Sequence, residues 1–232
     1  MKSIPIKDVP EFLERISVYD LVGGTLLFRG QSKRGNLLPG VARKDPTKNT
    51  TAVEKAMLGE LRKQGLTMIP SYVDITSDWD MLVLAQHFEL KTRLLDWTSN
   101  ALAAMWFACS SRGNEDCYVY TLEADSLMLT SLKGSPFTQK KTKVINPNLS
   151  NDRIIAQSGY FTAHRFSEKS GKFVALEKNP DVKSFLTEYV IAGKDKVDFL
   201  MTLERCGVTS KSIYPDIEGL CRFLNWRMEG SY

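Results

Sequence analysis

From Ala101 to Ser111 the chain reads ALAAMWFACSS, a run that is apolar around its whole helical circumference. A helix without a polar face must be covered on every side. It therefore needs a sizeable body around it. A chain of 232 residues supplies one, since area scaling buries roughly 70% of the unfolded surface at this length. Thr98, Ser99 or Asn100 can cap the start of this helix. Hydrophobic residues at 43% and charged residues at 25% exclude a disordered or collagen-like chain. No internal repeat, low-complexity linker or clear boundary divides the sequence, so residues 1–232 read as one domain.

Around that core helix the periodicity is mixed. Helical spacing is found over 7–20, with Val9, Phe12, Leu13 and Ile16 on one face, and over 53–64 and 78–90. It returns over 197–205, with Val197, Leu200, Met201 and Leu203 inside. A last helix opens at Pro215-Asp216 and packs Ile217, Leu220, Cys221 and Leu224. Strand character marks 25–29, 117–122, 153–156, 160–164 and 184–191, while 31–50 and 124–150 read as irregular and basic. These patterns predict an α+β fold, with a mixed or antiparallel sheet packed by helices.

Several classes are excluded or disfavoured. The four cysteines lie far apart without a C-x-x-C, which argues against a disulfide framework or zinc knuckle. Two histidines disfavour a His-rich metal site, and no metal is expected. There is no apolar run long enough for a spanning helix and no signal-peptide pattern, so a cytoplasmic protein without a membrane partner is expected. P-loop, G-x-G-x-x-G, H-E-x-x-H and G-x-S-x-G signatures are missing. The net charge of +4 permits an anionic partner without requiring one.

Three segments carry candidate chemistry. In Phe28-Arg29-Gly30-Gln31 the Arg29 fork can hold a phosphate beside a backbone free of Cβ, or pair with a carboxylate to fix a strand end. Thr92 to Ser99 runs into the apolar helix, whose free N–H groups favour anions, though Arg93 and Asp96 can simply pair with each other. In Arg153 to Phe161, Gly159 suggests a bulge beside which Gln157 presents an amide, or a plain turn. His87 reads as a hydrogen-bonded core histidine, and His164 as open enough to line a cleft. Lys33, Arg34, Arg43, Lys44 and Lys48, with Lys140, Lys141 and Lys143, form either a phosphate-binding face for nucleic acid or two solvated basic loops.

The three segments occur in series with Ala85-Gln86-His87-Phe88, Trp106-Phe107-Ala108 and Tyr214 to Leu220. That series resembles the FRG domain, named for its Phe-Arg-Gly motif, over about residues 25–224. The resemblance implies a bacterial or phage-borne protein of defence or toxin–antitoxin systems, with a nucleic-acid or protein target. At the level of fold the chain also resembles ADP-ribosyltransferases. Arg29-Gly30 is similar to their first-strand element, Asp96 to Ser99 to their Ser-Thr-Ser strand, and Gln157 stands where they carry a catalytic Glu. This implies NAD or a related nucleotide as ligand. Arg29 and Arg93 would then hold phosphates, with Arg29 also among the catalytic residues and Gly30 and Gln31 beside it in the ligand set, Thr98 or Ser99 would support the ribose, and Gln86 or His87 would line the wall. Gln157, or Asp96 in its place, would act at the reacting sugar. The non-catalytic alternative is a nucleic-acid-binding or protein-interaction module.

Overall fold

A computed structural model describes residues 1–20, 23–147 and 155–229. The fold is α+β. Seven strands form one mixed sheet in the order β1-β9-β4-β2-β3-β6-β5. They are β1 (Lys2–Ile6), β2 (Leu26–Gln31), β3 (Leu94–Thr98), β4 (Cys117–Glu123), β5 (Lys143–Ile145), β6 (Gly159–Ala163) and β9 (Leu186–Ile191). The pair β1–β9 is parallel and every other pair is antiparallel. The short strands β7 (Phe166–Ser167) and β8 (Lys172–Phe173) form a separate ribbon.

Helices cover one face of the sheet. Successive strand residues point to opposite sides. Phe28, Val119, Tyr189 and Ile191 therefore meet α1 (Val9–Asp20), α4 (Ala101–Cys109) and α5 (Lys196–Arg205) in one cluster. Farther along, Leu94, Phe161 and Ile145 meet α2 (Thr51–Gln64) and α3 (Asp78–His87). Leu27, Leu95, Trp97, Tyr120 and Leu186 pack on the other side against Leu37, Leu127 and Leu176 from irregular segments. The helices α6 (Ser210–Ile213) and α7 (Ile217–Glu229) complete the described residues.

Several sequence expectations are corrected here. Strand β1 was not foreseen, because Pro5 interrupts its pattern. Its place at the sheet edge tolerates a residue without N–H. Residues 94–98 form strand β3 rather than a polar connector. Helix α3 ends at His87, where Glu89 takes φ +63, and Phe88 is 69% exposed. Ile155 and Ala156 are helical rather than extended, and Arg153 and Ile154 lie outside the described residues. In α5, Phe199 and Leu203 are buried, while Val197 and Met201 face solvent. In α7, Leu220 is half-buried and Ile217, Cys221 and Leu224 are exposed.

Candidate functional site

The sheet opens between β2 and β3. These strands share a single register pair, Phe28↔Thr98, whereas β2 and β4 are paired over six. A cleft of about 710 Å³ lies at this opening, lined by β2, β3, β6, the end of α3 and the loop around Gly40. The loop is fixed beside the α3–β3 connection by Val41 N–H, which donates to Thr92 O at 3.3 Å.

Arg29 bridges the opening. Its Nη1 donates to the Asp96 carbonyl at 2.8 Å and lies 3.6 Å from the Asp96 carboxylate. Its Nε donates to Gln31 Oε1 at 2.9 Å. Gln31 is itself held, because its Nε2 donates to Gly35 O at 3.0 Å. The second terminal nitrogen of Arg29 has no hydrogen-bond partner among the described residues, and the side chain is 14% exposed. Burial and the neighbouring Arg43 charge pull the Arg29 pKa below its ordinary value. Guanidinium groups remain protonated at neutral pH even so.

Asp96 is the more exposed partner, with 52% of its side chain accessible. Gln86 Nε2 donates to both of its carboxylate oxygens, at 3.0 and 3.1 Å. Thr92 donates to Gln86 Oε1 at 2.7 Å, which orients that amide. Thr92, Gln86, Asp96, Arg29 and Gln31 thus form one chain of side chains across the split. Gln157 also lines the cleft, with its Nε2 committed to Ile213 O at 3.2 Å, leaving Oε1 as an acceptor.

The remaining wall is cationic on one side and aromatic on another. Arg43, Lys44 and Lys91 join Arg29 as cations, against Glu89 and Asp96 as lining carboxylates. Phe107, Tyr160 and Tyr214 present half-buried rings, and the Phe107 and Tyr214 rings meet edge to face at 6.3 Å. Cations and aromatic rings thus face the same cleft, chemistry that suits an anionic group and a planar ring.

Arg29, Gly30, Gln86, His87, Asp96, Thr98 and Gln157 are thus brought to one cleft. His87 is half-buried there, not in the core. Others sit differently from expectation. The Gly30 position is explained by packing, because an added Cβ would lie 1.9 Å from Ala104 O of α4. Arg93 does not line the cleft. It is 1% exposed, its guanidinium lies against Glu54 at 2.9 and 3.1 Å, and the Phe137 ring is 4.4 Å away. Arg93 therefore pairs with Glu54 rather than Asp96. Thr98 has its hydroxyl engaged by Gln157 O and by Asn100 N–H, and Ser99 is exposed away from the lining. Asn100 provides the α4 cap, accepting from Leu102 and Ala103 N–H at 3.0 and 3.1 Å.

His164 is 2% exposed, with Nε2 beside Thr162 Oγ1 at 3.1 Å and no hydrogen-bond partner at Nδ1 among the described residues. Burial first, then the charges of Arg29 and Arg93, push its pKa down to about 3, so it is neutral at physiological pH. The basic loops are partly neutralised. Glu188 holds Arg34 at 2.8 Å, and Lys141 lies 4.0 Å from Asp181. Sequence reasoning missed Glu89, Lys91, Phe107 and Tyr160 as lining residues. Phe107 and Tyr160 lie in segments the motifs mark, but no local pattern gives them a lining role, and none marks Glu89 or Lys91.

The family model of the FRG domain matches residues 24–117. The chain carries an FRG domain. Phe28-Arg29-Gly30-Gln31, the end of α3, β3 and α4 all fall within that stretch. In this FRG domain the three letters have three tasks: Phe28 packs against Phe12 in the core, Arg29 spans the split, and Gly30 admits α4. Gln157, Tyr160 and Tyr214 complete the cleft from beyond the matched stretch. No curated protein and no solved structure matches the chain. No described helix is long and apolar enough to cross a membrane, and no described cluster of His, Cys, Asp or Glu could hold a metal ion.

Proposed function

We propose that the cleft between β2 and β3 binds a nucleotide of the NAD class, in the manner of an ADP-ribosyltransferase. The observation that carries this reading is Arg29, braced by Gln31 and Asp96 with one terminal nitrogen unengaged at a cleft of about 710 Å³. That arrangement suits a pyrophosphate oxygen. Arg43, Lys44 and Lys91 add positive potential, and the rings of Phe107, Tyr160 and Tyr214 suit a base or nicotinamide. Arg93, Thr98 and Ser99 are left out of the ligand set because their groups are engaged or turned away.

Any transfer on this cleft would break the glycosidic bond between ribose C1 and the nicotinamide nitrogen. The bonding pair leaves with nicotinamide, and an acceptor or water adds at C1 and loses a proton. The positive charge that develops on the sugar needs a nearby anion. Gln157 is uncharged and would accept a ribose hydroxyl through Oε1. Asp96 would supply the negative charge, oriented by Gln86. In the host setting we place this activity in bacterial or phage conflict.

Isothermal titration with NAD, with nicotinamide release followed on the same samples, tests this. Arg29→Ala should lose binding. Asp96→Asn should retain binding and lose release. Binding without release in the unaltered protein would make the cleft a ligand sensor. No heat at millimolar NAD would refute the nucleotide assignment, and salt-sensitive binding of nucleic acid would replace it.

A further inference from the structure

Cys109 ends α4 and Cys117 opens β4, and their sulfurs lie 3.7 Å apart. The sequence places them eight positions apart with no redox motif between them, so only the fold makes them a pair. Both are buried, at 1% and 0% exposure. The connecting residues 110–116 form an exposed turn, held down by the buried amine of Lys196. That amine donates to Ser111 O, Ser111 Oγ and Gly113 O at 2.8, 3.0 and 3.0 Å.

We propose that Cys109 and Cys117 are an oxidisable dithiol, converted to an intramolecular disulfide by a small hydroperoxide. The inference stands apart from the nucleotide reading, since neither sulfur lines the cleft. The 3.7 Å sulfur contact already places the two thiols side by side, and a bond of roughly 2.05 Å closes the remaining gap. The two thiols are unequal. The hydrogen bond from the Cys109 thiol favours the Cys117 thiolate, the same contact and burial push the Cys109 thiol up, and the Lys196 charge favours both thiolates. Cys117 is therefore the attacking sulfur.

The Cys117 thiolate attacks one peroxide oxygen, the O–O bond breaks, and the leaving oxygen departs as hydroxide or alkoxide and takes up a proton. Cys109 then attacks the resulting sulfenic sulfur and displaces water. The two thiols lose two electrons and two protons, and the peroxide is reduced to water, or to water and an alcohol. Burial selects the oxidant. A peroxide reaches the pair when the 110–116 turn opens, while a bulky disulfide such as oxidised glutathione is excluded. Cys206 and Cys221 are exposed and so open to either reagent.

The test uses the full chain with Cys206→Ser and Cys221→Ser, treated with hydrogen peroxide or with oxidised glutathione, followed by intact mass and non-reducing peptide mapping. Peroxide should lower the mass by about 2 Da and give a linked peptide holding Cys109 and Cys117. The melting temperature should rise by about 5 °C, reversed by dithiothreitol. Glutathione should add nothing to this variant. Unlinked thiols after peroxide treatment would overturn the proposal, as would overoxidation of a single sulfur without a linked peptide. A glutathione adduct of about 305 Da on either residue would overturn the size selection. The linked peptide is read in the protein retaining both Cys109 and Cys117, so no folding defect from altering either one can mask the result.

Discussion

Replacing Gly30 by alanine separates two explanations for the third letter of the family motif. One holds that the position lacks a Cβ so that a ligand can approach the backbone. The structure supports the other, that α4 occupies the space. A Cβ on Gly30 would lie 1.9 Å from Ala104 O, 2.6 Å from Ala108 N and 3.0 Å from Ala104 C. All three are backbone atoms, so no side chain can swing aside. Ordinary contact starts near 3.4 Å, so α4 must retreat by roughly 1.5 Å along a tightly packed face. Overpacking costs typically about 1–3 kcal/mol, and a backbone neighbour places this case at the upper end or above. At about 2–4 °C per kcal/mol for a chain of this size, the melting temperature should fall by roughly 6–12 °C. The control is Gly59 in α2, where an added Cβ meets nothing within 4 Å. Gly59→Ala should stabilise by about 0.5–1 kcal/mol through helix propensity. Circular dichroism melts of both variants decide the matter. If Gly30→Ala melts within a degree of the parent protein yet loses nucleotide binding, the packing explanation fails and the ligand-approach one replaces it.

Two further perturbations test the buried charges. Because the His164 pKa is about 3 when folded against about 6.5 when unfolded, the unfolded chain takes up the proton first as pH falls. Its contribution is complete above pH 6.5 and is lost as pH drops toward 3, amounting to about 2 kcal/mol at pH 5. Urea unfolding at pH 8 and pH 5 should therefore show His164→Gln losing about 2 kcal/mol less than the parent, and equal losses would contradict the assignment. Glu54→Ala strands the Arg93 charge at 1% exposure and should cost about 3–5 kcal/mol, while the double change Glu54→Leu with Arg93→Met should recover most of it. Nucleotide affinity of the recovered double variant should match the parent, since Arg93 is off the cleft. A tenfold loss would return Arg93 to the ligand set.

The elements with a single strong period were legible in the sequence. The all-round apolar α4 and the alternating β4 fall where their patterns put them, and the strand read over 184–191 starts two residues later, at Leu186. Strand β3 was hidden because both of its faces are covered, with Leu94 on the helix side and Leu95 and Trp97 on the other, so no alternation appears. The exposed Asp96 in its middle marks the place where the sheet parts from β2. In α7 the packed side is set by Gly219, where a Cβ would lie 2.0 Å from Tyr214 O. Periodicity selects large apolar residues and cannot register a face built around a missing side chain. Among the residues lining the cleft, Arg29 and Asp96 stand in local motifs that draw attention to them. The separation of Arg93 from the site was invisible, because its partner Glu54 is 39 residues away on another element.

The measurement that bears most directly on the proposed nucleotide cleft is titration of the purified chain with NAD beside Arg29→Ala, both first shown to be folded by their melting curves. Saturable binding to the parent protein, lost or weakened at least tenfold in the variant, is the predicted result. Equal binding by both would contradict the role given to Arg29, and no binding by either would contradict the nucleotide assignment itself.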